Sequence, residues 1–303
     1  MSKTKIQWTD AVWKPCHEGR LEQPLRWRKP RRVFVHSMSD LFHEDVPDEF
    51  IDRVFAVMAL SPQHTFQVLT KRPERMRAYL TKIVERPDVP TTSGPATFER
   101  EECIRIALTA HHAPRGKFAS QIPWPLPNVW LGVSCENQET ADERIPILLD
   151  TPAAVRFVSA EPLLGPIDFR RIPWPGLHPV DVLRGGAWLF PDRVGIDGYA
   201  NHSGMPTLDW LVCGGATGPK AFLCDVAWIR SIVEQCREAG VPPFVKQLGA
   251  KAVDYDPEHE WFDGRDFHRG GKTYLGLKDR KGGDPAEWPE DLRVREFPAE
   301  VSR

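Results

Sequence analysis

What this 303-residue chain has little of narrows it first. No long apolar run is present: the longest is Val54 to Leu60, and the opening MSKTKIQWTD has no apolar segment. Neither a membrane-spanning helix nor a secretory leader is therefore expected, and the cytoplasm is the default location. Cysteine is sparse. Cys16, Cys103, Cys135, Cys213, Cys224 and Cys236 lie far apart, with no C-x-x-C pair and no Cys/His cluster at zinc-finger spacing. That argues against a disulfide framework and against a structural zinc site. Net charge is nearly absent too, at −2, which disfavours wholesale polyanion binding while leaving room for a local patch.

What is present is alternation. Short apolar runs rich in β-branched and aromatic residues recur as RVFVHS (32–37), TFQVLT (65–70), NVWLGVS (128–134), AVRFVSA (154–160), DWLVCGG (209–215) and PPFVKQ (242–247). Helical segments separate them. PDEFIDRVFAVMAL (47–60) opens on Pro and acids and sets Phe50, Val54, Val57 and Met58 on one face. DVAWIRSIVEQCREAG (225–240) sets Trp228, Ile229, Ile232, Val233 and Cys236 on one face and stops at Gly240. PERMRAYL (73–80) and NQETADERIPILL (137–149) read as weaker helices, the second interrupted by Pro146. Cys213 on a strand and Cys236 on a helix face read as buried core thiols.

Strand, helix, strand repeated in this way predicts an α/β fold, a partial (β/α) barrel of about six to seven parallel strands with right-handed crossovers. Near-continuous apolar strands imply burial on both faces. Three stretches break the rhythm. Residues 84–127 are rich in Pro, Thr and Ser around a possible helix, FEREECIRIALTAHH. Residues 165–207 are rich in Gly and Pro, and the polar tail begins at Ala250. The expected organisation is one barrel-like domain over residues 1–250 with those two insertions. Residues 251–303 form a C-terminal extension that packs on or trails it.

Chemistry in such folds gathers at the carboxyl ends of the strands. That edge collects Ser37 and Asp40, Lys71 and Arg72, Glu136 and Asn137, Glu161, Gly214 and Gly215, and Lys246 and Gln247. Any strand must end in polar loop residues, but so many coinciding groups favour a shared pocket. Lys, Arg and Gly-Gly together would suit a small molecule or nucleotide bearing carboxylate or phosphate. The run RWRKPRR carries five positive charges in seven residues, Arg26, Arg28, Lys29, Arg31 and Arg32, around Trp27. It reads either as a nucleic-acid contact or as a solvated lead-in to a strand. No metal ligands stand out.

Taken together, KIQWTDAVWKP, RLEQPLRWRKPRRVFVHSMSDLFHEDVP, FQVLTKRPERM, NVWLGVSCENQ, RFVSAEPLLGP, LDWLVCGG and LKDRKGGDPAEWPEDLRVREFP resemble the phage-encoded gp-thirty-seven/gp-sixty-eight family. The resemblance covers most of the chain outside the two insertions. It implies a barrel protein of phages and mobile elements, of largely unknown substrate, related to radical S-adenosylmethionine enzymes. Members of that family continue after the segment matching Trp13-Lys14-Pro15 into a three-cysteine loop, C-x6-C-x2-C, and a helix. The loop implies a [4Fe–4S] cluster with one iron open to S-adenosylmethionine, which the cluster cleaves to a 5′-deoxyadenosyl radical.

Here the loop is missing. Cys16 stands alone, the following helix is absent, and residues 8–27 run straight on as WTDAVWKPCHEGRLEQPLRW. The missing helix would leave barrel wall uncovered beside RVFVHS. Ala216 stands where the family implies an acid after Gly214 and Gly215, the expected S-adenosylmethionine contacts. The expectation is a member without its cluster and without radical chemistry. Two alternatives remain open. One is a binding module that holds a nucleotide, S-adenosylmethionine or nucleic acid through the strand-end groups. The other is a cluster-independent enzyme using Lys71, Glu136 or Glu161 as acid and base.

Overall fold

The computed structural model describes residues 20–35, 39–91, 94–99, 104, 123–176, 178–188, 199–201, 204–262 and 267–299. In chain order the elements begin with β1 (Arg32–Val35), α1 (Asp48–Ala59), β2 (Thr65–Thr70), α2 (Pro73–Thr81), β3 (Ile83–Thr91) and β4 (Gly94–Glu99). Then follow β5 (Val129–Ser134), α3 (Gln138–Leu149), β6 (Val155–Ala160), β7 (Val180–Asp181), β8 (Gly186–Trp188) and β9 (Tyr199–Asn201). The chain continues through β10 (Trp210–Gly214), β11 (Cys224–Asp225), α4 (Val226–Ala239), β12 (Pro243–Gln247), β13 (Ala252–Phe262) and β14 (Phe267–Tyr274).

Six strands, in the spatial order β1-β2-β5-β6-β10-β12, form one sheet that is parallel throughout. The sheet curls into a half barrel, so the fold is the partial β/α barrel that the alternation predicts. Each of the six apolar runs became one of its strands. Every β5 and β10 residue is buried, as burial on both faces requires.

The two faces differ in what covers them. Helices lie on one, where Ile51, Val54, Phe55 and Met58 of α1, Ile145 and Leu148 of α3, and Ile229, Ile232 and Val233 of α4 join the core. They meet Val68, Leu131, Val133, Val158, Leu211 and Val245, the alternate residues of the strands. The other face carries a separate cluster of Trp130, Val155, Phe157, Trp210 and Val212, with Leu69, Phe244 and Phe297 against it. Phe297 comes from the far end of the chain. Its ring stacks on Trp210 at 5.2 Å and meets Phe244 edge-on at 5.1 Å. The Val245 amide donates to the Val294 carbonyl at 2.8 Å and the Glu296 amide to Pro243 at 2.9 Å. The tail thus runs antiparallel along β12, covers an edge that would otherwise be open, and closes the aromatic floor.

Local signals explain the helices. Asp225 caps α4 by accepting from the Ala227 amide, and Gly240 ends it in the left-handed region at φ 74°. Helix α3 runs through Pro146 without stopping. Its start is secured by a capping box, in which the Asn137 side chain accepts from the Thr140 amide and Thr140 answers toward the Asn137 backbone. Proline removes one donor there, toward the Asp142 carbonyl, and packing of Ile145, Leu148 and Leu149 outweighs that loss.

The irregular stretches hold strands that the sequence pattern hid. Residues 83–99 form the β3–β4 hairpin, so Phe98 and Glu99 of the expected helix FEREECIRIALTAHH belong to β4. Of the rest of that segment, only the buried Ile104 is among the described residues. Within 165–207, β7, β8 and β9 make a small antiparallel sheet. The polar tail opens with the β13–β14 hairpin, whose alternation is obscured by acids and by a register shift between Asp256 and Glu260, around Pro257. Cys224 pairs with Ala252, tying β13 to residues ahead of α4. Strand β1 lies at one edge of the sheet with Phe34 45% exposed. Cys16 and the first strand suggested by KIQWTDAVWKP lie outside the described residues.

Candidate functional site at the carboxyl ends of the strands

Parallel pairing places the ends of all six strands on one rim, and the predicted residues divide there by what they touch. Asp40 is saturated. One carboxylate oxygen accepts from the Thr70 hydroxyl at 2.7 Å and the Phe42 amide at 2.9 Å. The other accepts from the Lys71 amide at 3.1 Å and the Arg72 guanidinium at 3.0 Å. Asp40 therefore locks the loop after β1 to the turn between β2 and α2, with little capacity left for a ligand. Arg72, the partner in that pair, keeps 40% of its side chain exposed.

Beside it, the Lys71 ammonium pairs with Oε1 of Glu136. Oε2 of Glu136 accepts from Arg144 at 3.1 Å, and the same guanidinium nitrogen reaches the Ser134 carbonyl at 2.7 Å. Glu136 is 8% exposed, whereas the Lys71 side chain is 53% exposed. A buried carboxylate thus holds two cations, one fixed on α3 and one at the surface. Asn137, by contrast, is engaged as the α3 cap.

A second group lies toward the other end of the sheet. Oε2 of Glu161 accepts from the Ser159 hydroxyl at 3.2 Å and the Lys246 ammonium at 3.1 Å. Oε1 of Glu161 is buried with no hydrogen-bond partner among the described residues. The Lys246 side chain is 55% exposed. Gln247 turns inward instead, its amide donating to the Gly215 carbonyl at 3.0 Å.

Gly214 and Gly215 owe their identity to close packing. A Cβ on Gly215 would stand 2.2 Å from the Leu248 carbonyl oxygen. On Gly214 it would stand 2.8 Å from the Gln247 oxygen and 2.9 Å from Glu161 Oε1. The end of β10 crosses the segment after β12 at main-chain contact, which only glycine allows.

Sequence reasoning brought Asp40, Lys71, Arg72, Glu136, Glu161 and Lys246 correctly to one rim, while Ser37 lies outside the described residues. It missed Thr70, Ser159 and Arg144. The two hydroxyls are the last or next-to-last inward positions of readable strands and could have been found there. Arg144 sits mid-helix, eight residues from its partner, and only the packing of α3 on the sheet brings them together.

The donor set does not fit an iron–sulfur cluster. Cys135, Cys213, Cys224 and Cys236 are all buried, with the last three in the apolar layer under α4 rather than on the rim. Burial pushes every one of these thiols up, Cys224 and Cys236 to about 12, whereas a ligand must be a thiolate. Among the described residues no three His, Cys, Asp or Glu side chains gather as a metal site.

Comparison with known proteins adds one finding. The family described as a protein of unknown function, DUF5131, matches residues 14–277. No curated protein and no solved structure matches the chain.

Proposed function

We propose that this chain, which belongs to the DUF5131 family, is a phage-type barrel protein of radical S-adenosylmethionine ancestry that lacks the cluster and keeps a ligand-binding rim. One observation carries this reading. At two places on the rim a mostly buried carboxylate, Glu136 or Glu161, presents a lysine whose side chain stays more than half exposed. An ammonium has three donors. Among the described residues Lys71 uses one on Glu136, and Lys246 one on Glu161. The remaining donors suit a small anionic ligand, a nucleotide phosphate or the carboxylate of S-adenosylmethionine. Burial of the two glutamates holds both cations in place before any ligand arrives.

The missing three-cysteine loop and the buried, protonated state of the described thiols support the absence of radical chemistry. Two measurements test the proposal. Anaerobic reconstitution with iron and sulfide leaves a folded chain without bound iron; retention of about four irons per chain would overturn the clusterless reading. S-adenosylmethionine, S-adenosylhomocysteine and ADP are then titrated in a thermal-shift assay. A binder present at a hundred times its Kd stabilises by about 2.7 kcal/mol. The shift vanishes in Lys71→Ala or Lys246→Ala. If none of the three moves the melting temperature, the ligand-binding half of the proposal fails.

A further inference from the structure

We propose that the opposite rim is a docking surface for a nucleic-acid phosphate backbone, formed by Arg26, Arg28, Lys29, Arg31 and Arg32. The segment enters β1 at its amino end, so it lies across the sheet from the ligand rim. All five side chains belong to exposed residues. Their pairing contrasts with the carboxyl rim, where Lys71, Arg72, Arg144 and Lys246 each face a carboxylate. Among the described residues, none of the five cations has an acidic partner within ion-pair distance. Two rest on aromatic rings instead, Arg31 at 4.5 Å from the centre of Trp27 and Arg32 at 3.8 Å from that of Phe297. A guanidinium laid flat on a ring keeps its N–H edge free for phosphate and loses little freedom on binding.

The rest of the chain supplies no counter-charge for this segment. Residues 1–19 hold Lys3, Lys5 and Lys14 against Asp10 and Glu18. Trp27 is held edge-on to the buried His64 at 5.6 Å, and the Gln63 amide donates to its carbonyl at 3.2 Å. The segment is therefore anchored by its aromatic residue and displays its cations. With Trp27 packed inward, it offers no free aromatic anchor for a lipid surface, whereas a row of phosphodiesters matches both its charge and its extended form.

The test uses the full chain and a fluorescein-labelled single-stranded oligonucleotide, with a duplex of the same sequence as a second arm. If all five cations engage phosphates of a single strand, affinity falls about a hundredfold between 50 and 200 mM salt. The triple variant Arg26→Ala, Arg28→Ala, Lys29→Ala removes the three cations that rest on no ring, so the fold is retained. It weakens binding and lowers the log–log salt slope by about two. Lys71→Ala and Lys246→Ala leave oligonucleotide binding unchanged, which separates this surface from the ligand rim. Tighter binding of one arm identifies the preferred strand form. No binding to either arm at 50 mM salt overturns the proposal. So does binding that the triple variant leaves intact, or a preference for anionic phosphatidylserine vesicles over both oligonucleotides.

Discussion

Replacing Gly215 with alanine separates two explanations for the glycine pair after β10, a ligand that must approach the backbone or a chain that must. The added methyl would sit 2.2 Å from the Leu248 carbonyl oxygen, 2.8 Å from its carbon and 2.9 Å from Cys224 Cβ. The two nearest atoms are main chain and cannot rotate away. They are held in turn by the Gly215 amide on the Gln247 carbonyl at 3.1 Å and the Ala250 amide on the Ala216 carbonyl at 2.8 Å. Overpacking of this kind costs typically 1–3 kcal/mol, and a backbone clash puts Gly215→Ala near about 3. At about 2 to 3 °C per kcal/mol for a chain of this size, the melting temperature falls by about 6 to 9 °C. Gly165→Ala is the control, because its methyl would meet only Asn137 Cβ at 3.8 Å. The assay is thermal unfolding followed by circular dichroism. If Gly215→Ala melts within about 1 °C of the parent while ligand binding is lost, packing is not what the glycine serves.

Three further outcomes follow from the rim and the core. Arg144→Ala leaves the buried Glu136 with only the half-exposed Lys71 and costs about 2 kcal/mol by urea denaturation; Lys71→Ala costs under about 1, and equal costs would refute the division of roles. Cys135, Cys213, Cys224 and Cys236 resist iodoacetamide in the native chain and react in guanidinium; native labelling of any of them at peptide level would contradict their burial. Burial raises the carboxyl of Asp181, whose Oδ2 has no hydrogen-bond partner among the described residues. A raised carboxyl favours the folded state at low pH, and that contribution is lost as pH rises from about 4 through the folded value. Asp181→Asn keeps the acceptor for the Leu183 and Arg184 amides. Its urea midpoint therefore gains on the parent between about pH 4 and pH 7, and a pH-independent difference would refute the assignment.

All six strands of the half barrel, and the four helices outside the insertions, were legible in the sequence because their information is local. A run such as TFQVLT or NVWLGVS states its own burial, and a stripe such as Ile229, Ile232, Val233 and Cys236 states its own face. Parallel order then carries the strand-end groups to one rim without further input, which is why Lys71, Glu136, Glu161 and Lys246 could be named together. The β13–β14 hairpin escaped for the same reason in reverse. Its residues alternate against solvent rather than against a core, so AVDYDPEHEWF carries no periodic apolar mark.

Tertiary structure alone decided how those groups are used. It paired Glu136 with both Lys71 and Arg144, left one oxygen of Glu161 without a partner among the described residues, and engaged Asn137 and Gln247 in capping and backbone support. It also laid Phe297 on Trp210 and Arg32 on Phe297, joining residues from opposite ends of the chain. Periodicity reports whether a residue faces a core. Which residue stands opposite depends on the curl of the sheet and the path of the loops, and those are set by the packing of the whole chain.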